Sequence, residues 1–262
     1  QTVRVQAGMA LSDLQSFLAD HGLWFPLRPL SRAVATLGGL AAVNGCGPDR
    51  PAYGAMQDRV LGLGFVSGLG EHISAGGQVI KNVAGYDLCR LLVNSRGRLG
   101  FMTDLTLRLA PRPKASCCVS ATGPLKGLVL TAQRVRSSTL SPVSITACQH
   151  SGSSDWSMHI LFEGLEEPVR WKACQCSALL DAHDASSCEV KDLLRIPGRP
   201  GIDSATPFHF RMDLPLDQLA DFCAGTLSSC DLSALILDLM CGRLSAWTPS
   251  LDVVQWGSII DA

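Results

Sequence analysis

The sequence predicts an α+β protein in two domains, residues 1–112 and 113–262. Three observations carry this prediction. A chain of 262 residues exceeds one average domain of about 150. Glycine-dense texture fills the front of the chain and stops at Pro111-Arg112-Pro113, the best boundary signal in the sequence. Beyond it, helical and strand-like periods follow one another in mixed order without glycine loops. With 47% hydrophobic and 17% charged residues, the chain can build packed cores, which excludes wholesale disorder.

Val3–Ala7 alternates apolar and polar side chains and reads as a strand ending at Gly8. Ser12 is expected to cap a helix over Asp13–His21, with Leu11, Leu14, Phe17 and Leu18 on one face and Gly22 as its stop. From Pro26 to Gly54 the chain is punctuated by Thr36-Leu37-Gly38-Gly39, Asn44-Gly45-Cys46-Gly47-Pro48 and Tyr53-Gly54. So long a stretch of this composition inside a compact domain reads as a functional loop. Arg59–Val66 resumes a strand, and Ser67–Gly70 turns the chain. Gly76–Asp87 leads into a helix over Leu88–Val93. Phe101–Leu109 alternates cleanly, with Leu105, Leu107 and Leu109 on one side. In the second domain the periods predict strands at Cys117–Ala121, Val143–Ala147, Ser157–Phe162, Phe208–Asp213, Leu235–Leu239 and Arg243–Trp247. Helices are expected at Leu125–Val135, Pro168–Leu180 and Leu216–Leu227.

Charge and motif content exclude several classes. A net charge of −1 argues against a nucleic-acid binder. Residues 1–112 hold 11 Lys/Arg against 7 Asp/Glu, a mild positive bias that suits a phosphate-bearing ligand there. The 11 cysteines show neither CxxC pairs nor a zinc-type Cys/His ladder, so reduced and mostly buried thiols in a cytosolic protein are expected. No metal site is expected, because none of the six histidines is paired at helical spacing. No stretch approaches the roughly 20 apolar residues of a spanning helix. Gly62-Leu63-Gly64 falls inside a strand and misses the dinucleotide fingerprint of the Rossmann type, and no phosphate loop ending in Gly-Lys-Ser/Thr occurs. The glycine clusters either serve tight turns alone or expose backbone amides to an anion. Gly38-Gly39, ahead of the apolar run Leu40–Val43, could place such amides at a helix start.

Gly-Gly-Gln-Val-Ile-Lys-Asn-Val-Ala-Gly-Tyr-Asp-Leu-Cys-Arg at 76–90, Arg96–Gly100 and Pro111–Pro113 resemble the FAD-binding subunits of glycolate oxidase, within the vanillyl-alcohol oxidase class of flavoproteins. The upstream runs Ala35–Ala42, Gly47–Pro51 and Asp58–Gly62 fit that family in order and spacing. The resemblance spans most of residues 3–113; the second domain matches only loosely. It implies a PCMH-type FAD-binding domain, incomplete at its N-terminus, followed by an α+β cap or substrate domain. The chain opens at Gln1 in mid-strand, and the family's opening strand–helix–strand unit is expected upstream of it.

By this resemblance Thr36, Gly38, Gly39, Asn44, Gly45 and Gly47 lie along FAD, and Gly54 and Asp58 shape the same loop. Lys81, Asn82, Gly85, Tyr86 and Asp87 stand near the flavin and pyrophosphate, and Gly100 and Phe101 present backbone to the adenine end. Asn94 stands where the family has glycine, which requires an ordinary or left-handed φ there. The implied activity is FAD-dependent oxidation of glycolate, a 2-hydroxy acid, to glyoxylate. The implied partners are a second flavin subunit and an iron–sulfur subunit, in a hetero-oligomer that is cytoplasmic or held at the inner membrane through those partners. No cysteine quartet with cluster spacing occurs in this chain, so a cluster would belong to a partner. No side chain stands out as the substrate base; Lys81 and Tyr86 are as well explained by pyrophosphate or structural contacts. The alternative reading is a flavin-free subunit that stabilises the same kind of complex.

Overall fold

The computed structural model describes residues 1–30, 35–77, 87–149, 155–180, 184–189, 208–225, 232 and 234–248. The chain divides into two units, Gln1–Arg112 and Pro113–Ala262. Unit 1 runs β1 (Thr2–Gln6), α1 (Leu11–Ala19), β2 (Leu23–Trp24), α2 (Leu37–Ala42), α3 (Arg50–Tyr53), β3 (Val60–Val66), β4 (His72–Gly76), α4 (Leu88–Leu92), β5 (Phe101–Arg108) and β6 (Ala110–Pro111). Its main sheet is antiparallel with the order β1-β5-β3-β4. Period-2 alternation sends Val5, Leu63, Leu105 and Leu107 to one face, where they form a core with Leu14 and Leu18 of α1 and Leu37 and Leu40 of α2. The polar side chains Arg4, Asp104 and His72 stay on β1, β5 and β4 outside that core.

Helix α1 begins two residues earlier than its polar residues suggest. Ala10 occupies the cap position without a side-chain bond, while the Ser12 hydroxyl meets its neighbour Asp13. Tertiary contact sets this start: Ala10 bridges Thr36, and the Leu11 amide donates to Ala35 O at 2.9 Å. Gly22, at φ 64°, ends the helical segment as expected, with its amide on Ala19 O.

The segment after α4 is held in an unusual backbone state. Asn94 and Arg96 have φ of 73° and 53°, followed by Gly97 at 75°. The amides of Asn94 and Arg96 donate to Ala41 O (2.9 Å) and Ala42 O (2.8 Å), which clasps this loop to the end of α2. Asn94 therefore satisfies the left-handed requirement. Arginine suits that region poorly, so Arg96→Gly should raise stability, by up to about 1 kcal/mol, in a denaturant titration.

Unit 2 contains β7 (Ala115–Gly123), α5 (Leu125–Ser137), β8 (Ser144–Gln149), β9 (Trp156–Gly164), α6 (Glu166–Leu179), β10 (Asp184–Glu189), β11 (Phe208–Asp213), α7 (Leu216–Gly225), β12 (Ala234–Asp238) and β13 (Arg243–Thr248). A seven-stranded antiparallel sheet has the order β10-β7-β9-β8-β12-β13-β11. All three helices contribute to one core, where Leu128, Val169 and Leu219 meet Val119, Ile145, Ile160, Leu237 and Leu244 of the strands. On the opposite face the register aligns a polar row, one residue per strand: Ser120, His159, Thr146, Asp238, Arg243 and Asp213. The β8–β12 ladder holds only three residue pairs, the shortest in this sheet. Strand β10 was not expected, because Asp-Ala-Ser-Ser-Cys-Glu carries no apolar alternation; it pairs with β7 through its backbone.

Among the described residues, Cys89, Cys118, Cys148, Cys176 and Cys223 are buried. Burial pushes the Cys148 thiol up to about 11 and those of Cys176 and Cys223 up to about 12, which leaves them protonated and inert. Among the described residues no cluster could hold a metal ion, and no helix is long and apolar enough to cross a membrane.

Candidate functional site

A groove of about 890 Å³ opens on unit 1 where β1 ends, β5 begins and α2 starts. Its walls come from three chain segments: Arg4–Gly8, Thr36–Ala42 and Gly97–Asp104, with His72 at one side. Parts of the two stretches that the sequence places along one cofactor, 36–42 and 97–101, border this cleft. Thr36, Gly38, Gly39, Gly100 and Phe101 all line it.

Glycine serves two different purposes here. A Cβ at Gly38 would stand 2.8 Å from that of Ala7, and one at Gly100 would stand 2.8 Å from Phe65 and from Val66 O. These glycines let α2 and β5 pack against their neighbours. At Gly8 and Gly97, by contrast, a Cβ would meet nothing within 4 Å. There the bare backbone faces open space, which is what close approach of a large ligand requires.

The amides at the start of α2 do not behave as the sequence suggested. Leu37 N–H donates to Met9 O, Gly38 N–H to Ala7 O and Gly39 N–H to the Thr36 hydroxyl, at 3.0, 2.7 and 3.2 Å. Their donors are used inside the chain, so a phosphate would not be gripped by this helix start. The reason is local: these bonds tie the start of α2 to the turn that follows β1 and to its own cap residue.

Side chains that the sequence did not single out supply the polar wall. Arg4 Nε donates to Asp104 Oδ1 at 2.7 Å, the Thr103 hydroxyl donates to Asp104 Oδ2 at 2.9 Å, and His72 Nε2 lies 3.3 Å from Thr103 Oγ1. The bond from Arg4 holds the Asp104 carboxyl below its ordinary range, with the Thr103 hydroxyl adding to the effect. Asp104 also accounts for Gly64, since a Cβ there would come 2.3 Å from its carboxylate. Pairing β1 with β5 from their alternation would have placed Arg4 near Asp104, but the groove itself depends on a turn geometry that alternation does not encode.

The remaining predicted residues shape loops rather than line the groove. Asn44 Oδ1 accepts the Gln57 amide (2.9 Å), Asp58 Oδ2 accepts the Ala55 amide (2.8 Å), and Asp87 caps α4 by accepting the Arg90 amide (3.0 Å). Gly45 donates to Leu40 O, and Gly54 takes φ 82° against Asp58. Gly47 is pressed against the carbonyl of Arg28. Arg28 is itself buried, paired with Asp49 at 3.1 Å and stacked 4.7 Å over the Trp24 ring. Lys81, Asn82, Gly85 and Tyr86 lie outside the described residues.

Residues 1–76 match the FAD binding domain family. The chain is 41% identical over 115 residues to glycolate oxidase subunit GlcE of Escherichia coli (strain K12), covering 44% of this chain and 33% of that protein. It is 39% identical over 113 residues to glycolate oxidase subunit GlcD of Bacillus subtilis (strain 168), covering 43% and 24%. It is 38% identical over 114 residues to the mitochondrial cytochrome-type D-lactate dehydrogenase of Arabidopsis thaliana, covering 44% and 20%. The chain thus spans a third or less of the length of these curated relatives. Two structures of alkyldihydroxyacetonephosphate synthase superpose with TM-scores of 0.76 and 0.78 at 16% identity, covering 99% of this chain and 57% and 59% of theirs. That likeness establishes the fold across both units. The groove fits the cofactor that the match implies: it has the size of a ligand site, and backbone opens into it at Gly8 and Gly97.

Proposed function

We propose that this chain, whose front unit is an FAD-binding domain of the PCMH type, is the flavin-carrying subunit of an enzyme complex that oxidises a small 2-hydroxy acid, with glycolate to glyoxylate as the leading case. One observation carries the reading: segments 36–42 and 97–104 converge on a cleft with open backbone at Gly8 and Gly97. FAD supplies two-electron redox chemistry when bound, while the protein supplies orientation and exclusion of water. Thr36, Gly38, Gly39, Gly97, Gly100 and Phe101 would hold it from the groove walls, and Asn44, Gly45, Gly47, Gly54, Asp58 and Asp87 would keep the loops behind those walls in shape. Lys81, Asn82, Gly85 and Tyr86 are assigned to the same cofactor from the motif they form. Residues 113–262 serve in this reading as the cap. Electrons would leave to a second flavin subunit and an iron–sulfur subunit in a cytoplasmic or peripherally membrane-held complex.

An absorption spectrum of the purified chain tests the reading. An oxidised-flavin band that persists through gel filtration is expected; a well-folded chain that takes up no flavin from added FAD overturns it. Gly39→Val should abolish flavin retention while unit 2 stays folded, because a Cβ at this position already meets Thr36 Oγ1 at 3.0 Å and the added methyls would occupy the groove. Flavin content of the variant, read beside its circular dichroism, checks this.

A further inference from the structure

Asp238 ends β12 where the chain turns through residues 239–242 into β13. Only 6% of it is exposed. Its Oδ1 accepts the Met240 amide at 2.9 Å, and its Oδ2 accepts the Cys241 S–H at 3.1 Å. Among the described residues, the groups facing it across the sheet are Thr146 of β8, with His159 of β9 beyond, and Arg243 of β13. Arg243 is bound to Asp213 of β11 by two bonds of 2.6 and 3.0 Å.

The turn itself is firmly placed. Leu239 N–H donates to Ile145 O, Gly242 N–H to Asp238 O, and Gly242 O accepts from Leu214 N–H. Yet Cys241 lies on the exposed side of this turn, unlike the buried Cys148, Cys176 and Cys223. An exposed thiol ordinarily ionises near about 8.5, and the thiolate is the form that reacts.

We propose that Asp238 guards Cys241: the carboxylate retains the thiol proton on Sγ and keeps this exposed cysteine a poor nucleophile. The Cys241 thiol is pushed up to about 12, first by loss of hydration and then by the charge and hydrogen bond of Asp238. Asp238, pushed up to about 6 by burial, is ionised at neutral pH, so the guard is in place there. Below that pH the carboxyl becomes neutral, but a cysteine is then protonated in any case. The turn is thereby shielded across the whole working range, and removing the carboxylate should make Cys241 easier to modify.

Site-resolved alkylation of the full chain with iodoacetamide at about pH 8 tests the guard, with Cys174, exposed on α6, as the internal reference. Cys241 should react at least roughly tenfold more slowly than Cys174, and Asp238→Asn should speed Cys241 by roughly tenfold while leaving Cys174 unchanged. Equal rates at the two sites in the unaltered chain would overturn the proposal. So would an unchanged Cys241 rate in a folded Asp238→Asn protein. Labelling of the buried Cys148, Cys176 and Cys223 reports misfolding of the variant, in which case the comparison within the unaltered chain decides alone.

Discussion

Alanine at position 47 should destabilise unit 1 by about 3 kcal/mol or more and strip the chain of flavin. A Cβ there would stand 1.9 Å from Arg28 O and 2.8 Å from its carbonyl carbon, and 2.9 Å from Asp49 Oδ1. Neither obstacle is the end of a flexible side chain that can swing aside. The carbonyl is main chain, and Arg28 and Asp49 form a buried pair with 2% and 4% of their side chains exposed. Moving the loop to admit the methyl would part that pair, and a buried charge left without its partner is expensive. Denaturant midpoints and flavin content of Gly47→Ala check the expectation. Gly68→Ala is the matched control, since a Cβ at Gly68 meets nothing within 4 Å and should cost little. Equal midpoints for the two variants would show that the Arg28–Asp49 contact does not fix this loop.

Raising the pH from about 4 to about 6 should weaken unit 2 through Asp238. Burial moves this carboxyl from 3.8 up to about 6, so the folded unit holds the proton more tightly than the unfolded chain does. The stabilisation from that group is complete below its unfolded value and gone once the pH exceeds its folded value. Its full size is about 3 kcal/mol. Asp238→Asn mimics the neutral form. The variant should therefore match the parent at about pH 4 and surpass it at about pH 8, as urea unfolding of unit 2 would record. A constant difference between the two proteins across that range would mean that the carboxyl titrates near its ordinary value.

Much of the frame could be read from the residues because one face of each sheet is buried. Phe101–Leu109 alternates, and Leu105 and Leu107 are fully buried on the face the alternation assigns them. In unit 2, β7, β8, β9, β11, β12 and β13 and all three helices fall where the periods put them, within a few residues at their ends. Elements set by tertiary contact were less legible. Ala10, not Ser12, precedes α1 because the chain is bridged there to Thr36, and a local capping rule has no access to that bridge. Strand β10 lacks an apolar face and exists through backbone pairing along an edge.

The site divides along the same line. Thr36, Gly38, Gly39, Gly100 and Phe101 were named from the family resemblance of the motifs around them, and all five line the groove. Arg4, His72, Thr103 and Asp104 were not, since ordinary polar residues on strands reveal a wall only once the strands are paired. Of the two roles the sequence left open for Gly38 and Gly39, the hydrogen bonds favour the structural one: their amides donate to Ala7 O and to the Thr36 hydroxyl.

The three-pair β8–β12 ladder carries a consequence for how unit 2 comes apart. Strands drawn from residues 115–189 lie on one side of it and those from 208–248 on the other, so the seam separates two contiguous stretches of chain. Amide hydrogens of β12 and β13 should therefore exchange together, in one sub-global opening that leaves β7 and β9 protected. Strands β11, β12 and β13 would then act as a detachable leaf, able to loosen and reseat while β7, β8 and β9 stay native.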